Sequence, residues 1–120
     1  MDKKILIVDD SKLARNKVKN ILLELGYNEF YEAENGQEAI NMFLKHSPYF
    51  MTLDIEMPIL DGIEVVKELV QVSDSLNVIW VSSIDNKHRT LQAQKLCPSS
   101  IVKKPVSLEK LTNAIKLLKR

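Results

Sequence analysis

Short runs of apolar residues alternate along the chain with segments in which apolar residues recur every three or four positions. Residues 5–8 are apolar at every position, which predicts a strand buried on both faces of a sheet. Runs at 30–33, 49–53, 78–81 and 101–102 predict four more strands. A segment with helical spacing follows each run, so the pattern predicts five strand–helix units.

Capping residues mark where some of these helices begin. Asn35 and Asp61 are each followed three residues later by a glutamate, which is the capping-box pattern. The fourth predicted helix, at about 85–96, is unusually polar, and we expect Leu91 and Leu96 to be its few sizeable apolar anchors.

Regular alternation of strands and helices predicts an α/β fold, in which a parallel sheet is covered by helices on both faces. The 120 residues are enough for one domain of this kind, and we assign residues 1–120 to it. In such folds ligands bind beyond the carboxyl ends of the strands. The residues that directly follow each strand are therefore the first candidates for a functional site.

Residues that carry chemistry follow four of the five predicted strands. They are Asp9 and Asp10 after the first strand, Asp54 after the third, Ser82 and Ser83 after the fourth, and Lys103 and Lys104 after the fifth. Two carboxylates about 4 Å apart repel by roughly 4 kcal/mol at an effective dielectric constant near 20. A cluster of carboxylates therefore predicts a bound cation, and Mg²⁺ prefers carboxylate oxygens and water as ligands.

Such a group of residues could transfer a phosphoryl group. A carboxylate beside a metal can attack phosphorus and form an acyl phosphate, while a lysine neutralises the developing charge and a serine hydroxyl donates a hydrogen bond. Each group alone has a plainer explanation, since Asp10 or Ser11 could cap a helix and the lysines could be solvated. Their coincidence at four strand ends favours a site.

The chain resembles the receiver domains of two-component signalling from Lys4 to Leu118. The resemblance is carried by Ile-Val-Asp-Asp at 7–10, Asp-Ile-Glu-Met-Pro-Ile-Leu-Asp-Gly at 54–62, Val-Ser-Ser at 81–83 and Lys-Lys-Pro at 103–105. It implies a doubly wound, five-stranded parallel sheet with strand order 2-1-3-4-5 and five helices, as in CheY-like and flavodoxin-like folds. It also implies that residues 1–120 form one receiver domain.

Roles for individual residues follow from the same resemblance. It makes Asp54 the phosphoacceptor, Ser82 the hydroxyl residue that turns towards the phosphoryl group, and Lys104 the lysine that binds it. The Mg²⁺ ligands that it implies are Asp9, Asp10, Asp54 and the backbone carbonyl of Glu56. It further implies a cis peptide bond between Lys104 and Pro105.

One switch position departs from the family pattern. The residue three before Lys104 is usually aromatic in receiver domains and moves together with the hydroxyl residue, whereas this chain has Ile101. An isoleucine can fill space there but has no hydroxyl. The phosphorylation chemistry is therefore predicted more firmly than the way in which the signal leaves the site.

Composition narrows the possible partners. The net charge is 17 − 16 = +1, which gives no reason to expect direct binding to nucleic acid or to an anionic membrane. No apolar run approaches the ~20 residues of a membrane span. Cys97 is the only cysteine and cannot form an internal disulfide. These features favour a cytoplasmic protein, and we expect a monomer.

The expected function is that of a phosphoacceptor signalling protein, not of an enzyme with an external substrate. It would receive a phosphoryl group from a sensor histidine kinase and switch a protein-binding face formed by helix 4, strand 5 and helix 5. Chemotaxis or motility signalling is the expected setting, with a flagellar motor switch or a phosphotransfer protein as target. A phosphorelay intermediate and a receiver module of a transcription factor remain alternatives.

Two other classes of protein fit the sequence less well. An aspartyl-phosphate hydrolase would use an acid two residues after its nucleophile, as Asp54 and Glu56 mimic, but Pro58 and the missing cap domain argue against it. A flavin or dinucleotide module would need a phosphate-binding first loop, where Asp9 and Asp10 would repel phosphate.

Overall fold

Five strands and five helices alternate in a computed structural model that describes residues 3–74, 76–83, 85 and 87–118. The strands are Lys4–Val8 (β1), Glu29–Ala33 (β2), Phe50–Asp54 (β3), Val78–Ser82 (β4) and Ile101–Lys103 (β5). The helices are Lys12–Glu24 (α1), Gly36–His46 (α2), Gly62–Leu69 (α3), Lys87–Leu96 (α4) and Leu108–Lys116 (α5). All neighbouring strands pair in parallel, in the order β2-β1-β3-β4-β5, which confirms the predicted topology.

The core lies on both faces of the sheet, and β1 shows why its residues are all apolar. Leu6 and Val8 point to the face covered by α2, α3 and α4, whereas Ile5 and Ile7 point to the face covered by α1 and α5. Side chains alternate between the faces of a strand, so a strand covered on both sides must be apolar at every position. Trp80 on β4 is fully buried, and its indole Nε1 donates to the Cys97 carbonyl at 3.1 Å.

The predicted caps of α2 and α3 are confirmed, with one difference between them. Asp61 accepts a hydrogen bond from the Glu64 backbone N–H, and the Glu64 side chain accepts in return from the Asp61 N–H, which completes the capping box. Asn35 caps α2 in the same way, but the Glu38 side chain instead accepts from the N–H of Glu34. The Glu38 side chain therefore stabilises the turn before α2 and does not complete a capping box with Asn35.

The prediction for α4 was partly wrong. The helix begins at Lys87, and Leu91, expected as an apolar anchor, is 58% exposed. Ala93 is the buried residue of this helix, and Leu96 is partly buried and packs against the core. Positions 91 and 93 are about 200° apart around a helix, so burying Ala93 turns Leu91 to solvent. This helix is therefore held by little apolar surface.

The loop after β3 folds back closely over the end of the strand. The Gly62 N–H donates to the Ile55 carbonyl at 2.8 Å, and a Cβ at position 62 would collide with the backbone carbonyl of Asp54. Only glycine permits this approach, so the start of α3 fixes the backbone beside Asp54. Within the described part of the chain, the helices are too short or too polar to cross a membrane.

Candidate functional site

Three carboxylates meet at the carboxyl ends of β1 and β3. Oxygen atoms of Asp9, Asp10 and Asp54 all lie within 4.8 Å of one another. Asp9 and Asp54 are only 5% and 6% exposed, whereas Asp10 is exposed to solvent. A cavity of about 200 Å³ opens over this edge, and it is lined by Asp10, Asp54, Ile55, Glu56, Ser82, Ser83 and Lys104. The structure thus brings together the acidic residues that the sequence singled out.

Lys104 supplies the positive charge of the site. Its Nζ lies 3.1 Å from Asp9 Oδ2 and 3.4 Å from Asp54 Oδ2, and its backbone N–H donates to the Ser82 carbonyl at 2.8 Å. The Lys104–Pro105 peptide bond is cis, as the resemblance implied. The neighbouring Lys103 is exposed, so the second of the two lysines is the one that reaches the carboxylates.

Backbone donors orient the two buried carboxylates. The N–H of Ser11 donates to Asp9 Oδ1 at 3.0 Å, and the N–H of Glu56 donates to Asp54 Oδ1 at 3.2 Å. An ionised carboxylate offers about four acceptor positions, so both groups keep lone pairs for a cation. Clustered carboxylate oxygens, one of them open to solvent, match the preference of Mg²⁺ for carboxylates and retained water molecules. The donor set of this acidic pocket therefore fits Mg²⁺.

Burial changes the proton affinity of the central carboxylate. Burial and then the charge of Asp9 raise the pKa of Asp54 from 3.8 to about 6, against the smaller opposing effects of Lys104 and the Glu56 N–H. For Lys104, burial alone would lower the pKa, but the charges of Asp54 and Asp9 and the hydrogen bonds to them together outweigh burial and leave the pKa raised. Lys104 therefore stays an ammonium, whereas Asp54 holds its ionised form at a cost in free energy.

We expect this cost to appear as a pH dependence of stability in metal-free protein. The folded state binds the Asp54 proton more tightly than the unfolded state does. A favourable contribution to the free energy of unfolding is therefore present below pH 4 and is lost as the pH rises through about 6. At neutral pH, Asp54→Asn should raise the free energy of unfolding by on the order of 2 kcal/mol. Urea unfolding in a chelator between pH 4.5 and 7.5 tests this. A wild-type minus variant difference that does not change with pH would contradict it.

Ser82 lies beside this site, but its hydroxyl forms hydrogen bonds to Thr90 and to the Ser83 carbonyl rather than to the carboxylates. It is 2% exposed, and its Oγ lies 2.8 Å from Thr90 Oγ1 on α4 and 3.0 Å from the Ser83 carbonyl. It lines the same cavity as Asp54 and Lys104. Its hydroxyl is thus engaged with α4 while it borders the acidic cavity.

Ile101, the departure noted in the sequence, lies outside the acidic cavity. It is half-buried on β5, paired with Trp80 on β4, and packs against the core on the α4 side of the sheet. With Thr90 it lines a separate cavity of about 620 Å³ between α4, β5 and α5. The structure therefore places Ile101 beside the helix that contacts Ser82.

Arg15 is a site residue that the sequence reasoning missed. It is largely buried on α1, where one guanidinium nitrogen donates to the Asp9 backbone carbonyl at 2.8 Å and Nε donates to Glu32 Oε1 at 2.9 Å. It thus ties the loop that carries Asp9 to the edge strand β2. The sequence did contain a signal for this role. Arg15 has helical spacing to Val18 and Leu22, which are the other buried residues of α1, so it lies on the buried face of that helix.

Comparison with known proteins agrees with this arrangement. The sequence profile described as the response regulator receiver domain matches residues 5–116. Chemotaxis protein CheY of Bacillus subtilis is 34% identical over 115 residues, which are 96% of each sequence. Sporulation initiation phosphotransferase F of the same organism is 28% identical and is matched over 93% of its length by 97% of this chain.

A solved structure shares the fold in a liganded form. In the CheX-CheY-BeF3-Mg+2 complex from Borrelia burgdorferi, one chain superposes with a TM-score of 0.86 at 25% identity. The match covers 94% of the present chain and 86% of that chain. That structure is a complex of CheX and CheY with BeF3 and Mg²⁺.

Proposed function

Because this chain belongs to the response regulator receiver family, and is thus a phosphoacceptor response regulator, we propose that Asp54 is the residue that accepts its phosphoryl group. One observation carries this assignment. Asp54 is the buried carboxylate that has a lysine ammonium at 3.4 Å and also opens into the cavity at the strand ends. Asp9 is buried beside Lys104 but is not among the residues that line that cavity.

The chemistry needs one nucleophile and several groups that hold charge. A carboxylate oxygen of Asp54 forms a bond to phosphorus, and the bond from phosphorus to the donor breaks, so that an acyl phosphate remains. The ammonium of Lys104 binds a phosphoryl oxygen, and Ser82 donates a hydrogen bond to another. Asp9, Asp10, Asp54 and the backbone carbonyl of Glu56 would hold Mg²⁺, which when bound offsets the negative charge of the carboxylates and the phosphoryl group.

The partners follow from the family. Receiver domains act between histidine kinases and downstream targets, and we propose a sensor histidine kinase as the donor here. The output would be a change in protein binding at α4, β5 and α5, with Ile101 near its centre. Chemotaxis signalling is favoured because several relatives that match most of the chain are named chemotaxis protein CheY. A flagellar motor switch or a phosphotransfer protein would be its target.

A phosphorelay role is the second candidate. It is favoured by the similarity to sporulation initiation phosphotransferase F, which is smaller than the similarity to the CheY proteins. In either role the chain would act as a monomeric, cytoplasmic receiver domain over residues 1–120, without direct contact to nucleic acid. It would catalyse only the gain and loss of its own phosphoryl group.

One experiment tests the central assignment. We expect the protein, incubated with acetyl phosphate and Mg²⁺, to gain the mass of one phosphoryl group, and to gain none when a chelator removes the metal. Intact-protein mass spectrometry measures both results. Protein that stays unmodified with Mg²⁺ present, while a known receiver is labelled in parallel, would overturn the proposal.

A further inference from the structure

The first turn of α4 is joined to the site mainly by polar side chains. Arg89 forms an ion pair with Asp61, the residue that caps α3 just after the Asp54 loop. Its neighbour Thr90 contacts the Ser82 hydroxyl at 2.8 Å. Among the described residues of α4, only Ala93 is buried. Because apolar burial is small, the polar contacts have a large share in fixing the position of this helix.

The two contacts of Ser82 engage the single proton of its hydroxyl. A hydroxyl has one proton to donate, and the Ser83 carbonyl at 3.0 Å can only accept. Both contacts are satisfied when Ser82 donates to that carbonyl and accepts from the hydroxyl of Thr90 at 2.8 Å. In this arrangement the Ser82 proton is not available to a phosphoryl oxygen on Asp54.

The side chain at position 101 on β5 cannot form the hydrogen bond that Thr90 forms with Ser82. Ile101 carries no hydroxyl, yet it lines the same cavity as Thr90 beneath α4. The Ser82 hydroxyl therefore contacts this part of the fold through Thr90 Oγ1 on α4, at 2.8 Å, and not through the residue at position 101.

We propose that Thr90 is a positioning residue that holds Ser82 in the unphosphorylated arrangement, and that the turn of Ser82 towards the phosphoryl group breaks this bond and loosens the start of α4. The inference rests on the proposed function, in which Asp54 carries the phosphoryl group and Ser82 donates to it. The Ser82–Thr90 bond exists only in the unphosphorylated state, so it opposes the active state by its own free energy. Removing it must shift the equilibrium towards the active state.

Beryllofluoride is a mimic of a phosphoryl group, so its binding in the presence of Mg²⁺ measures this shift towards the active state. We expect Thr90→Val, which keeps the shape but removes the hydroxyl, to bind beryllofluoride roughly three- to tenfold more tightly than wild type, which is the range of one net hydrogen bond. The signal of protein-bound beryllofluoride in ¹⁹F NMR reports occupancy directly. Thr90→Ser should restore the wild-type affinity, because it restores the hydroxyl.

The same substitution in a Ser82→Ala background separates this role from a merely structural one. With the Ser82 hydroxyl absent, Thr90→Val should leave beryllofluoride affinity unchanged, as a double-mutant cycle requires of a direct interaction. The matched control is Thr112→Val on α5, where the Thr112 hydroxyl donates within its own helix to the Leu108 carbonyl at 2.7 Å. We expect wild-type affinity from it.

The outcomes distinguish this inference from the proposed function. Wild-type protein that binds no beryllofluoride would overturn the proposed function itself. Wild type that binds, together with a Thr90→Val variant of equal or weaker affinity, would overturn only the role of Thr90. If Thr90→Val increases beryllofluoride affinity equally in the wild-type and Ser82→Ala backgrounds, the role of Thr90 is likewise overturned. If Thr90→Val does not fold, Thr90→Ala replaces it with the same expectations.

Discussion

Asp54→Asn is expected to leave the protein without detectable acyl phosphate after incubation with acetyl phosphate and Mg²⁺. The asparagine side chain has almost the same shape, and its amide oxygen can still accept the Glu56 N–H that Asp54 accepts at 3.2 Å. It lacks the anionic oxygen that attacks phosphorus, and it removes one carboxylate from the metal cluster. Intact-protein mass spectrometry over a time course measures the loss.

A matched substitution shows whether the loss belongs to the site. Asp74→Asn makes the same chemical change at a residue that lines a different cavity, together with Leu96, Cys97 and Leu118. It should be labelled at the wild-type rate. Labelling of the Asp54→Asn variant at a rate close to wild type would mean that another group accepts the phosphoryl group.

The stability prediction gives the same variant a second use. If Asp54→Asn is folded and more stable than wild type at neutral pH, its failure to be labelled cannot come from unfolding. The carboxylate whose pKa is raised to about 6 would then be retained at the cost of stability, as expected of a residue kept for its chemistry.

The position of the acidic site could be predicted from the sequence because it depends only on where the buried strands end and on which strands are neighbours. Continuous apolar runs reveal buried strands, and in a parallel sheet the ends of those strands face one edge. Asp9, Asp10 and Asp54 directly follow or end such runs, so any sheet with adjacent β1 and β3 brings them together. The pattern of residues alone did not decide between Lys103 and Lys104; the resemblance to receiver domains did.

Contacts made by α4 could not be predicted in the same way. The helix is polar on most sides, so hydrophobic spacing does not reveal which face is buried, and Leu91 was assigned to the wrong side. The contact between Thr90 and Ser82 depends on how the helix turns about its axis once Ala93 packs into the core. The contact of Arg15 with the Asp9 carbonyl likewise depends on the docking of α1, which a local pattern does not encode.

Lys104→Met is expected to change two properties of the site in opposite directions. The labelling rate with acetyl phosphate should fall by roughly 100-fold, because the variant loses a charged donor aimed at the developing negative charge. Mg²⁺ should bind several-fold more tightly to the variant. The Lys104 ammonium lies 3.1 Å from Asp9 and 3.4 Å from Asp54, so it repels a second cation that approaches the same oxygens.

Calorimetric titration with Mg²⁺ and a labelling time course test the two halves of this prediction, and Lys103→Met is the control. Lys103 is an exposed lysine one residue away, and its carbonyl accepts a hydrogen bond from Lys110 at 3.0 Å that the substitution leaves in place. It should keep both wild-type values. A distorted site would lose metal affinity as well as labelling, so weaker Mg²⁺ binding by Lys104→Met would contradict the prediction. Slower labelling combined with tighter Mg²⁺ binding requires that Lys104 act on the phosphoryl group rather than maintain the shape of the site.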